Sequence, residues 1–99
     1  MDKVIGLGKL GCAITEELTA YPEYRIYKID ADIDQRGSLA LGSHQTMDAF
    51  EENIDQDEVA IYLRSIKSTD DVLLVVEGGA PISGATLKIL ETIKDAKLH

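Results

Sequence analysis

Lys3-Val4-Ile5-Gly6-Leu7 is a short apolar run that ends among glycines, the pattern of a strand covered on both faces in a parallel sheet. Beyond it, Leu10, Ile14 and Leu18 recur at helical spacing, while Thr15, Glu16 and Glu17 fall on the other side. This spacing predicts a helix that buries the Leu10–Ile14–Leu18 stripe and stops at Tyr21-Pro22. Tyr24 to Ile29 alternates and is rich in β-formers, which predicts a second strand ending at Asp30. Strand, helix and strand together make a βαβ unit with a right-handed crossover.

Ser38 to Gly42 reads as a short edge strand. Met47, Phe50 and Ile54 suit one helical turn set and Val59, Tyr62, Leu63 and Ile66 another, with Asp55-Gln56-Asp57 as the break between them. Val72 to Val76 is apolar throughout and belongs in the centre of the sheet. Glu77 to Gly84 follows as a loop, and Ala85 to Ala96 carries Leu87, Ile89, Leu90 and Ile93 as a last amphipathic helix. The expected fold class is α/β, a Rossmann-like three-layer sandwich with a mostly parallel sheet, forming a single nucleotide-binding domain over residues 1–99. A sheet of this kind continues with a further strand, so the chain reads as the N-terminal portion of a longer protein.

Composition narrows the partners. With 44% apolar residues the chain can build a core, and its formal charge of −8 opposes contact with nucleic acid or an anionic membrane surface. A phosphate site in such a chain must draw on backbone N–H groups. Cys12 is the single cysteine, so no internal disulfide forms, and no apolar run is long enough to span a bilayer; the expected location is the cytoplasm.

Gly6-Leu7-Gly8-Lys9-Leu10-Gly11 is G-x-G-x-x-G placed between a predicted strand and a predicted helix, with Asp30 about 19 residues further on. Glycine lets the backbone turn and approach a phosphate, and the helix N-terminus offers unpaired N–H donors with a partial positive charge. Lys9 and Cys12 lie in the same turn, and Asp30 is placed to accept from a ribose hydroxyl. The plainer reading is a tight strand-to-helix turn whose glycines serve packing. A second glycine loop, Gly78-Gly79 to Ser83-Gly84, runs into the last helix, where Ser83 either donates to a phosphate or caps the helix.

Taken together, these segments resemble the tubulin/FtsZ family of GTPases over nearly the whole chain. Val4 to Gly8 with the glycine turn and helix is similar to the family's first nucleotide loop, and Tyr27-Lys28-Ile29-Asp30-Ala31 to its second-strand Asn-Thr-Asp-Ala segment. Ser38 to Gly42 falls at its short third strand, and Val72 to Gly84 at the strand and Gly-Gly-Gly-Thr-Gly-Thr-Gly loop. In that loop Gly78, Gly79, Ser83 and Gly84 agree, whereas Ala80, Pro81 and Ile82 stand where the family has Gly, Thr and Gly. Proline removes a donor there. The loop that senses the terminal phosphate is shortened to Ser43-His44-Gln45-Thr46. The resemblance implies GTP or GDP at Gly6, Gly8, Lys9, Gly11, Cys12, Asp30, Gly78, Gly79, Ser83 and Gly84, with Mg²⁺ accompanying GTP. It also implies self-association into a polymer, and hydrolysis that needs acidic residues from the next subunit, so no catalytic residue is assigned here.

Two other readings stand beside it. The fingerprint with Asp30 also suits an NAD(P)-binding Rossmann domain of an oxidoreductase, and the altered second loop suits a structural protein that kept the fold and lost the ligand. Asp30, Asp32 and Asp34 imitate the start of a calcium loop, but Gln35 and Leu41 replace its required glycine and glutamate, and no metal is expected. His44 and His99 have no companions for a metal site.

Overall fold

The computed structural model describes residues 2–67, 69–93 and 97–98, the last two through their backbone alone. The chain runs β1 (Asp2–Leu7), α1 (Gly8–Leu18), β2 (Tyr24–Asp30), β3 (Ser38–Ala40), α2 (Met47–Asn53), α3 (Gln56–Tyr62) and β4 (Asp71–Val76). A 3₁₀ turn (Pro81–Ala85), α4 (Thr86–Thr92) and β5 (Lys97–Leu98) complete it. The strands form one sheet in the order β3-β2-β1-β4-β5, with every neighbouring pair parallel. This is an α/β, Rossmann-like sandwich. β5 is a two-residue strand beside Asp71 and Val72 of β4. Residues 94–96, over which the last helix was expected to extend, lie outside the described residues.

The main core fills the face of the sheet toward α2, α3 and α4. Ile5 and Leu7 of β1, Tyr27 and Ile29 of β2 and Val72 of β4 meet Phe50, Val59, Leu63, Ile82, Ala85, Ile89 and Ile93 there. Full burial of each large aliphatic side chain contributes about 1.5–3 kcal/mol, which makes this layer the main source of stability. The break between α2 and α3 falls where the sequence put it. Asp55 caps α3, its carboxylate accepting from the N–H groups of Asp57 (3.0 Å) and Glu58 (3.2 Å). Thr46 caps α2 in the same way through Ala49 N–H.

The opposite face carries α1, and here the expected burial is reversed. The face of α1 against the sheet is Gly8, Gly11, Cys12 and Thr15, while Leu10 and Ile14 are 47% and 44% exposed. The reason is distance. A Cβ on Gly11 would stand 2.3 Å from the carbonyl oxygen of Val75, and one on Gly6 would stand 2.4 Å from Thr15 Oγ1. A helix seated this close to the strands admits only small side chains beneath it. Thr15 is fully buried, its hydroxyl satisfied by donating to Cys12 O at 3.1 Å. β4 also departs from full burial: on the α1 side, which α1 covers only in part, Leu73 is 42% exposed and Val75 half-buried, while Leu74 and Val76 are half-buried against the main core.

Candidate functional site

Parallel pairing in register brings the C-terminal ends of β1, β2 and β4 to one edge: Leu7 lies opposite both Ile29 and Val76. The connection from β1 leads toward β2 on one side, and the connection from β4 leads toward β5 on the other. The gap between β1 and β4 is therefore the switch point of the sheet, the place where α/β sheets of this kind bind ligands.

Over that gap the chain turns from β1 into α1 at Gly8, whose φ of +81° is a left-handed conformation that favours glycine. Among the described residues no side chain caps α1, and no acidic residue occupies its first turn. Its first N–H groups thus meet no carboxylate from their own turn, the condition under which a helix N-terminus receives an anion. Gly11 is a packing residue, held against β4 as described. Gly6 has the same function toward Thr15 and Gly11, since its Cβ would also come within 2.6 Å of Gly11 O.

Asp30 closes β2 beside this turn. Its side chain is nearly buried, accepts from Ala31 N–H at 2.7 Å, and lies 3.9 Å from Lys9 Nζ. Lys9 reaches from the first turn of α1 to Asp32 Oδ1 at 3.3 Å, and the hydrogen bond and charge of Asp32 raise its pKa, with Asp30 adding to the effect. Lys9, Cys12, Lys28, Asp30, Asp32 and Gln35 line an open cavity of about 470 Å³ along the β2 side of α1. Lys28 forms an ion pair with Glu16 across it. Asp32 is the residue that sequence reasoning set aside with the calcium pattern. Its signal was the Lys9–Asp32 charge pair, visible only once β2 lies beside α1.

Cys12 Sγ lies 3.4 Å from Gly6 O and 3.6 Å from Ile29 O, pointing into the sheet. Burial pushes its thiol pKa up, with the charge of Asp30 adding to the shift, so Cys12 is a packed thiol and not an activated nucleophile. Among the described residues no cluster of three or more His, Cys, Asp or Glu is placed to hold a metal ion. No described helix is long and apolar enough to cross a membrane.

The second loop sits next to the first, but two of its predicted residues are engaged in holding the loop. Ser83 Oγ donates to Gly78 O at 3.1 Å, and Gly84 is pressed against α2, where a Cβ would stand 2.0 Å from Met47 O. Gly78 and Gly79 have open space around them. Ile82, one of the three residues that depart from the tubulin/FtsZ loop, is buried with its Cγ2 2.8 Å from the position of a Cβ on Gly8. Its side chain thus fills the space beside the glycine turn. The structure therefore brings Gly8, Lys9, Gly11, Cys12 and Asp30 together around the start of α1, with the open backbone of Gly78 and Gly79 at the end of the adjoining strand. Ser83 and Gly84 lie in the 3₁₀ turn that anchors the second loop.

No protein-family model, no curated protein and no solved structure matches the chain. The likeness to the tubulin/FtsZ family rests on the sequence segments quoted above.

Proposed function

We propose that the chain binds a nucleotide at the switch point of its sheet, with the phosphates at the first turn of α1 and the ribose toward Asp30. The observation that carries this reading is the uncapped N-terminus of α1 behind a left-handed glycine at the β1/β4 boundary. In a chain of net charge −8, the first N–H groups of that turn offer a phosphate the partial positive charge it needs, Lys9 being held by Asp30 and Asp32. Asp30 keeps acceptor capacity beyond its bond to Ala31, since a carboxylate has several lone pairs.

The leading ligand is GTP or GDP, with Mg²⁺ beside GTP, as the tubulin/FtsZ resemblance implies. On this reading the protein works in the cytoplasm and self-associates into a polymer, where a neighbouring subunit supplies the groups for hydrolysis. A second reading, an NAD(P)-binding domain, is favoured by one specific observation: Ser83, Gly84 and Ile82 are engaged in packing, so the second loop acts as a connection and leaves the phosphates to the first turn. Side-by-side calorimetric titration with GDP, GTP, NAD and NADP separates the two. The triple variant Ala80→Gly, Pro81→Thr, Ile82→Gly sharpens the comparison, because it restores a backbone donor at position 81 and removes the Ile82 side chain from Gly8. Guanine nucleotide affinity that rises in the variant supports the leading reading. Selective binding of NAD or NADP supports the second, and no binding of any of the four overturns both.

A further inference from the structure

The chain contains only three arginines, at 25, 36 and 64, against 18 acidic residues. Arg25 and Arg64 nevertheless line a single cavity of about 450 Å³ between the N-terminal half of β2 and the end of α3, and among the described residues no acidic side chain lines it with them. Neither guanidinium has an ion pair or hydrogen bond among the described residues. In so acidic a molecule, two unpaired arginines on one concave surface form a local positive site in a negative field.

The wall behind them is rigid and carries one hydroxyl hydrogen to spare. Tyr27 and Tyr62 pack edge to face, with ring centroids 5.7 Å apart. The Tyr62 hydroxyl is fully engaged, accepting from Lys28 N–H at 2.9 Å and donating to Gly37 O at 2.6 Å. Tyr27 and Ser65 hydrogen-bond to each other. That contact uses one of their two hydroxyl hydrogens and leaves the other to donate outward. β3 begins opposite Lys28, so Arg25 to Tyr27 form an open strand edge and the cavity is accessible from solvent.

We infer that this cavity is an oxyanion site, taking a phosphate group through the guanidinium forks of Arg25 and Arg64 and the free hydroxyl of the Tyr27–Ser65 pair. Planar guanidinium groups match phosphate oxygens two at a time, and no other unpaired donors of that kind share a cavity among the described residues. The site is separate from the glycine turn, since Arg25 precedes Asp30 by five positions, ~16 Å along an extended strand. Ile61, 61% exposed at the rim, gives an apolar surface for the body of a phosphate ester.

The test is a titration of the isotope-labelled chain followed by amide and arginine side-chain NMR. The probes are inorganic phosphate and phenyl phosphate, against sodium chloride at matched ionic strength. Phosphate should shift the signals of Arg25, Tyr27, Arg64 and Ser65 saturably at millimolar concentration. Arg25→Gln with Arg64→Gln should weaken that response at least tenfold while circular dichroism stays unchanged. Tyr27→Phe combined with Ser65→Ala, which removes both hydroxyl hydrogens, should weaken it several-fold. Tighter binding of phenyl phosphate than of phosphate assigns the site to an ester, and equal binding assigns it to the free ion. Shifts reproduced by chloride, unchanged in the double variant, or confined to residues 8–11 would overturn the inference.

Discussion

Replacing Gly11 by Ala sets two effects of opposite sign against each other. In a helix interior alanine is favoured over glycine by about 1 kcal/mol, so propensity alone predicts a more stable protein. The dinucleotide fingerprint also admits alanine at this third position. In this chain the new Cβ would stand 2.3 Å from Val75 O and 3.3 Å from both Val75 C and Gly6 C, against a practical minimum of 3.0 Å. These neighbours are backbone atoms of β4 and β1 and cannot swing aside as a side chain would. α1 must therefore retreat by about 0.7 Å, a displacement that forfeits a quarter to a half of each dispersion contact along its seat. Overpacking of this kind costs about 1–3 kcal/mol, and contact with backbone on two strands puts it at the upper end. Net of propensity, the variant should lose about 2 kcal/mol, lowering the urea midpoint by roughly 1 M at the slopes usual for small domains. Ala13→Gly, on the exposed side of the same helix, supplies the control and should cost about 1 kcal/mol. Urea unfolding followed by far-ultraviolet circular dichroism measures both. A Gly11→Ala protein as stable as the wild type, or more so, would refute the close seat of α1 on the sheet.

Asp55→Ala removes an acceptor shared by two N–H groups at the start of α3 and should cost about 1 kcal/mol in the same assay; no loss would deny the cap any energetic part. Thr86 Oγ1 is buried with no hydrogen-bond partner among the described residues, so Thr86→Val should raise stability by about 1 kcal/mol, and a fall would reveal a partner for the hydroxyl. The pKa of Cys12 is raised in the folded chain by burial, so the folded state holds the thiol proton more tightly than the unfolded one. Its contribution is intact below the ordinary thiol range and declines as pH rises through that range toward the folded value. Cys12→Ala should therefore lose less stability than the wild type between neutral pH and about pH 10, and parallel declines would refute the assignment.

Much of the fold was legible because β1 and β4 are apolar runs bounded by glycine or aspartate, β2 alternates and is rich in β-formers, and Asp55 announces a helix start. The face of α1 was not. Leu10, Ile14 and Leu18 satisfy helical periodicity, but periodicity does not report how near the helix lies to the sheet. The fingerprint glycines held that information: Gly6 and Gly11 set a separation at which Thr15 and Cys12 are the right size and Leu10 is too large. The same limit applies to the second loop. Its glycines and serine match a phosphate cradle in order, yet the positions of Met47 against Gly84 and of Ile82 against Gly8 depend on tertiary contacts. The arginine cavity was hidden for a similar reason, since Arg25 and Arg64 are brought together only when α3 packs across β2.

Amide NMR of the labelled chain titrated with GDP shows whether the start of α1 takes the phosphates of a nucleotide, as proposed. That placement of the phosphates predicts saturable shifts of the Lys9, Leu10 and Gly11 amides, accompanied by the Asp30–Ala31 amides at the ribose. Saturation by GDP with these amides unmoved, or no response to GDP, GTP, NAD or NADP, would contradict it.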